Sequence, residues 1–348
     1  MNIQKLLGIE LPVIQAPMAG VQGQALAVAV SRAGGLGSLP CAMLGAQDLH
    51  SELALITSQT AKPYNVNFFC HIPPEPDDKI EQNWRTILSP YFREYEIDAS
   101  TIASQPGREP FSAQAVEILK EFRPPVVSFH FGLPAPELLE PVRSWGGKIL
   151  STATTVDEAL WLESHGVDAI IAQGLEAGGH RGFFLSKDPG TQVGIFALVP
   201  QILQAVNIPV IAAGGIADAR GVAAMMELGA AGVQIGTAYL LCPEANTTAV
   251  HRAALKEDNA RVTALTNLFS GGAARGIVNR LMRELGPLNS AAPPFPLASA
   301  AIAPLRAKAE SLGRGEFSPL WAGQNVSGCK EVSATLLTQE LASLIKGH

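Results

Sequence analysis

Eight short apolar runs, each followed by an amphipathic stretch of helical length, constrain this chain more than any other feature of its sequence. The runs are Pro12–Gln15, Leu36–Leu39, Tyr64–Phe68, Val126–Phe129, Lys148–Ser151, Ala169–Gln173, Pro209–Ala212 and Gly232–Ile235. Alternation of strand and helix implies βαβ units and a parallel sheet. Eight strands is the number that closes a barrel, whereas an open doubly wound sheet usually stops at about five or six. The expected fold is therefore α/β, a (β/α)8 TIM barrel.

The chain has 348 residues, and a bare barrel needs only about 250. The surplus falls in two places. An insertion of about residues 70–110 follows the third strand; it carries PPEPDD, an aromatic patch at Tyr91–Tyr95 and QPGREP, and reads as part loop, part helix. From Leu241 to about Lys330 the pattern is helical and then broken by AAPPFPLAS. This divides the chain into a barrel (1–240), a smaller helical unit over one barrel end (241–330) and a C-terminal helix returning to the barrel (331–348), with Val332–Lys346 as its amphipathic stretch.

Composition removes several functional classes. Hydrophobic residues at 47% and charged residues at 16% suit a soluble enzyme with a large core and argue against disorder. A net charge of -6 with scattered basic residues gives no support for nucleic-acid binding. No charge-free apolar run is long enough to span a membrane, and the start lacks a secretory apolar region, so the expectation is a cytoplasmic protein. Cys41, Cys70, Cys242 and Cys329 lack the spacing of a zinc site and read as buried small apolar residues. No nucleophile elbow, Walker loop or first-strand GxGxxG occurs, which disfavours hydrolases, NTPases and dinucleotide-binding domains.

Chemistry gathers at the strand ends. The seventh run ends in AAGGIAD, with Gly214 and Gly215, and the eighth in QIGTA, with Gln234, Ile235, Gly236 and Thr237. In barrels these two loops form a phosphate cradle from backbone N–H groups at helix N-termini, and the Thr237 hydroxyl adds a donor. The alternative is a pair of tight turns with no ligand.

After the sixth run comes AQGLEAGGHRG, Ala172–Gly182. The Gln173 amide can donate to and accept from a heterocycle edge. Gly178 and Gly179 let the chain lie against a flat ligand, and His180 then projects from a loop into the barrel mouth, where an imidazole can take a proton at neutral pH. The alternative is a solvated loop histidine. His130, ending the fourth run in SFHFGLP, is a competitor that can line the pocket, position a substrate or act as the base. Ala16, Pro17 and Met18 in QAPMAG can pack on a flat ring, and Asn67 in NVNFF points an amide at the same rim.

On these residues the chain resembles the nitronate monooxygenase family, formerly called 2-nitropropane dioxygenases, and in particular its bacterial class I. The carriers are QAPMAG, NVNFF, SFHFGLP, AQGLEAGGHRG, AAGGIAD, VQIGTAYLLCPEA, FSGGAARGIVNR and LWAGQ, spread over nearly the whole chain. The resemblance implies a barrel holding FMN beneath a helical substrate-binding lid. Asn67, Gln173, Gly178, Gly215 and the stretch Gln234–Thr237 would bind FMN, Ala16–Met18 would pack on the isoalloxazine, and His180 matches the catalytic histidine. It implies oxidation of alkyl nitronates such as propionate 3-nitronate with O2, through a flavin semiquinone and without NAD(P)H, to an aldehyde and nitrite. One departure is Phe295, where the family often carries a lid tyrosine. Similar EAGGH and GGI segments occur in FMN-dependent enoyl-ACP reductases and quinone reductases that use NAD(P)H; LLCPEA and FSGGAARGIVNR favour the monooxygenase. No oligomeric state follows from the sequence.

Overall fold

The computed structural model describes residues 2–102 and 108–345. Gln105–Gly107 of the QPGREP segment and Lys346 of the expected final helix lie outside them. Each of the eight apolar runs is a strand within one or two residues of its expected bounds. In chain order the strands are β1 (Val13–Gln15), β2 (Gly37–Pro40), β3 (Tyr64–Phe69), β4 (Val126–His130), β5 (Lys148–Ala153), β6 (Ala169–Gln173), β7 (Gly179–His180), β8 (Val210–Ala213), β9 (Gly232–Ile235), β10 (Thr263–Thr266) and β11 (Ala274–Ile277). All except β7, β10 and β11 form one parallel sheet, in the order β1-β9-β8-β6-β5-β4-β3-β2. A parallel bridge from Ile14 to Leu36 joins β1 to β2 and closes the ring.

These strands read as near-continuous apolar runs because both their faces are covered. In β4 and its neighbours, Val127, Val66 and Ile149 face the helical layer, whereas Val126, Leu150 and Ile171 face the interior. The N-terminal helix Ile3–Leu7 brings Ile3 and Leu7 into that interior cluster and plugs the bottom of the barrel. Each such buried Leu or Ile contributes about 1.5–3 kcal/mol. The opposite, C-terminal rim is left for a ligand. Between plug and rim lies a polar layer, in which the Asn65 amide donates to Ser38 Oγ at 3.0 Å and Ser128 Oγ at 2.9 Å. The helix Ala334–Ala342 falls within the expected C-terminal stretch and packs against β1 and the helices Gln24–Arg32 and Ala219–Glu227.

A second core lies outside the barrel. The insertion forms the helix Asp78–Glu94, capped by the Asp77 carboxylate on the Lys79 and Ile80 N–H groups. Its Trp84, Leu88 and Phe92 share a cluster with Leu268, Leu281, Leu305 and Phe317 from the 241–330 region. Arg280 bonds both oxygens of Glu94 at 2.7 Å, tying that region to the insertion helix. Where the sequence suggests helix alone over Leu241–Lys330, the structure adds β10 and β11, antiparallel to each other. No helix among the described residues is long and apolar enough to cross a membrane.

Candidate active site

One cleft on the C-terminal rim gathers Ala16, Pro17, Met18, Asn67, His130, Gln173, Gly178, Gly179, His180, Gly214, Gly215, Gln234, Ile235, Gly236 and Thr237. It encloses about 1280 Å³ of empty space, its open mouth included. Phe295 is the exception: it is not on the cleft wall but packs on His180, ring centroids 5.0 Å apart at 68°.

One end of the cleft is suited to an anion. Gly214 and Gly215 have φ of 119° and 71°, which side chains resist. Among the described residues, the N–H groups of Gly215, Gly236 and Thr237 donate to no protein acceptor. Thr237 Oγ1 accepts from the Gly323 N–H at 2.9 Å, so its own proton stays available. Along the wall, Gly178 lies so close to the chain at Ala322 and Gly323 that a Cβ there would sit 2.6 Å from both Ala322 C and Gly323 N. Gln234 Oε1 is buried with no partner among the described residues, and such an acceptor is costly unless a ligand N–H meets it.

The other end carries imidazoles. His180 is not in a free loop, contrary to the sequence-based expectation. It pairs with Ala274 and Gly179 with Arg275, which makes β7 the edge of an antiparallel sheet with β11 and β10. The edge it docks on lies almost a hundred residues further along, so no local pattern announces it. The His180 carbonyl accepts from Gln173 Nε2 at 2.9 Å and from His130 Nε2 at 3.1 Å. Gln173 Oε1 accepts the Gly182 N–H at 2.8 Å, so this amide touches the loop at both ends and keeps one N–H and one lone pair for a ligand in the cleft. Asn67 donates to Ser128 O and Oγ.

His180 Nε2 lies 2.8 Å from Ser270 Oγ. Burial holds the His180 pKa well below its usual 6.5, helped by the charge of Arg108, so the ring is neutral at pH 7. Burial likewise brings His130 down to about 4. Arg181, which the sequence offers only as a neighbour of His180, is fully buried. It donates to Gln192 Oε1 at 2.8 Å and to the Gly174 and Gln173 carbonyls at 2.7 Å, pinning the loop that carries His180. Glu158 holds the far arm, accepting from Thr154 N and Phe184 N.

Sequence reasoning missed Thr152, Ser270, Arg108 and Trp321. Ser270 and Trp321 lie in FSGGAARGIVNR and LWAGQ, two stretches that resist assignment to any barrel strand. Arg108 sits in the insertion, where no periodicity points to a site. Among the described residues no group of His, Cys, Asp and Glu is arranged to hold a metal ion.

The model of the family described as Nitronate monooxygenase matches residues 1–343. The chain belongs to the nitronate monooxygenase family. It is 40% identical to the nitronate monooxygenase of Pseudomonas aeruginosa, an alignment covering 99% of this chain and 98% of that one. Its fold matches the nitroalkane oxidase from Streptomyces ansochromogenes with a TM-score of 0.89 at 37% identity, over 98% of this chain and 96% of that one. FabK from Thermotoga maritima is more distant, with a TM-score of 0.71 at 26% identity over 99% and 95% of the two chains. The chain is thus an oxidoreductase of the nitronate monooxygenase family. In this member of the family, Phe295 meets His180 edge-on through a ring that has no hydroxyl to offer.

Proposed function

We propose that this enzyme oxidises alkyl nitronates of the propionate 3-nitronate kind at an FMN held in the rim cleft, with O2 as oxidant and an aldehyde and nitrite as products. The observation that carries the reading is the shared cleft: an unpartnered anion cradle at one end and a buried neutral His180 at the other. The residues fit FMN. Free N–H groups on Gly215, Gly236 and Thr237 suit a phosphate, Ala16–Met18 offer an apolar wall, and the orphaned Gln234 Oε1 suits a ring N–H. FMN, when bound, supplies an electron-accepting ring that returns its electrons to O2. In this reading the barrel (1–240) holds the flavin, the 241–330 unit covers the substrate and residues 331–348 close the helical layer.

The protein's own part is orientation and proton control. Ser270 engages His180 Nε2, so Nδ1 is the nitrogen left for substrate. With Ser270 donating, Nδ1 carries the proton and donates to a nitronate oxygen. With Ser270 accepting, Nδ1 is bare and takes the α-proton of a neutral nitroalkane. The test is a visible spectrum of the purified protein, followed by oxygen uptake on propionate 3-nitronate. A colourless protein, or a yellow one that consumes no oxygen, overturns the proposal. Rapid anaerobic bleaching by NADH would assign the enzyme instead to the NAD(P)H-dependent flavin reductases.

A further inference from the structure

We infer that Arg108 receives the carboxylate end of a substrate whose reacting carbon lies at His180, which makes it the residue that selects carboxylated nitronates; the inference rests on the nitronate reading above. Arg108 and Trp321 line both the rim cleft and a second, wider cleft that opens beside it. The guanidinium carbon lies 5.8 Å from the Phe69 ring centroid and 5.7 Å from that of Phe295. Phe295 is the same ring that packs on His180. The cation is therefore one aromatic ring away from the proposed reacting centre, at the end remote from the anion cradle.

What singles Arg108 out is a missing partner. Among the described residues its guanidinium makes no ion pair and no hydrogen bond. Arg181, Arg252, Arg275 and Arg280 are all satisfied by carbonyls, amides, hydroxyls or carboxylates. The charge that acts on Arg108 most is another cation, Arg306, which is itself occupied by Glu310 at 2.9 Å. Aromatic faces ease the burial of a cation but use none of its five N–H donors. A guanidinium is a planar fork that fits a carboxylate with two parallel hydrogen bonds. A half-buried cation whose donors meet no protein acceptor among the described residues, set between two rings at the mouth of a reaction cleft, suits a small planar anion. The flavin phosphate is not that anion, because its cradle is formed by Gly215, Gly236 and Thr237 on the β8 and β9 loops.

The nitronate head is itself an anion, and the experiment must separate head from tail. Propionate 3-nitronate carries both charges, and butyl 1-nitronate carries only the head. Arg108→Gln is expected to lower the ratio of kcat/KM for the carboxylated over the plain nitronate by about a hundredfold, chiefly through KM. Arg108→Lys should restore part of that ratio, since it returns charge without the fork. An unchanged ratio, with both substrates equally impaired or neither affected, overturns the assignment. Succinate, which resembles 3-nitropropionate with a second planar carboxylate for the nitro group, gives an independent readout. Calorimetric titration should show it binding the unaltered protein and weakening about a hundredfold in Arg108→Gln; equal binding to both proteins overturns the assignment. If the unaltered enzyme turns over neither nitronate, the functional reading fails, and the succinate titration alone decides the role of Arg108.

Discussion

His130 donates its Nε2 proton to the main-chain carbonyl of His180 across 3.1 Å. A carbonyl oxygen only accepts, so this contact places the proton of neutral His130 on Nε2. Nδ1 is then the acceptor and faces Thr152 Oγ1 at 3.1 Å. With both nitrogens in use and burial holding its pKa down to about 4, His130 is expected to position the strand that carries His180 and not to act as the base. His130→Gln keeps one amide donor and is expected to lose about tenfold in kcat, whereas His130→Ala loses about a hundredfold, the scale on which small misplacements act. The acid limb of the pH profile should remain that of His180 in both. Disappearance of that limb in His130→Gln would make His130 the titrating base.

Replacing His180 itself should cost more. His180→Asn puts a non-basic amide where the imidazole nitrogen faces substrate, and turnover of a neutral nitroalkane is expected to fall by about 10²–10⁴-fold, the usual contribution of a positioned base. The anion cradle lies at the other end of the cleft, so the bound flavin spectrum should persist. Full activity in this variant would remove His180 from the chemistry.

The barrel was legible in the sequence because its strands are covered on both faces, which writes most of them as near-continuous apolar runs such as Ala169–Ala172. The turn after β8 was legible for a related reason: Gly215 needs a positive φ that few other residues tolerate. What was hidden depends on distant partners. The strand character of Gly179–His180 comes from Ala274 and Arg275, and the fixed orientation of the imidazole comes from Ser270, 90 positions away. Arg108 was hidden for a different reason. Its significance lies in the lack of a counter-ion among the described residues, which is a property of the folded neighbourhood rather than of a motif.

The acid limb of kcat/KM on a neutral nitroalkane should lie well below pH 6.5. Burial and the nearby Arg108 both disfavour the imidazolium of His180, so the neutral base persists to more acid pH than a free histidine would. The sign of the Arg108 contribution follows directly. A cation beside His180 lowers its pKa, so Arg108→Gln raises it and moves the acid limb toward neutrality. A limb that stays in place, or moves to lower pH, would show that Arg108 does not act on His180 electrostatically.

Gly178→Ala tests the closeness of the wall. The added methyl would meet the backbone at Ala322 and Gly323 at 2.6 Å, and these are main-chain atoms that cannot swing aside. The segment must shift, taking with it the Gly323 N–H that fixes Thr237 Oγ1. The expected outcome is at least tenfold weaker flavin retention, read by ultrafiltration of the yellow protein, while the far-ultraviolet circular dichroism is unchanged. Unaltered flavin affinity would mean that the 322–323 segment has no part in holding the cofactor.

Arg181→Met asks whether the loop carrying His180 is held by hydrogen bonds or by packing alone. The side chain is fully buried and its partners are all neutral: two main-chain carbonyls and the Gln192 amide oxygen. Methionine fills much of the volume but strands three buried acceptors, each costing about 1–3 kcal/mol when left unmet. Some of that loss is recovered, because a cation no longer has to be desolvated. A net loss of about 3 kcal/mol is therefore expected, visible as a lower denaturation midpoint in urea with an unchanged slope. Arg181→Lys keeps the charge but cannot reach three divergent acceptors from one ammonium, so it should fall between the two. A midpoint equal to that of the unaltered protein in Arg181→Met would show that these hydrogen bonds are energetically neutral and that the β7 pairing with β11 and the bonds from Gln173 and His130 suffice to place His180.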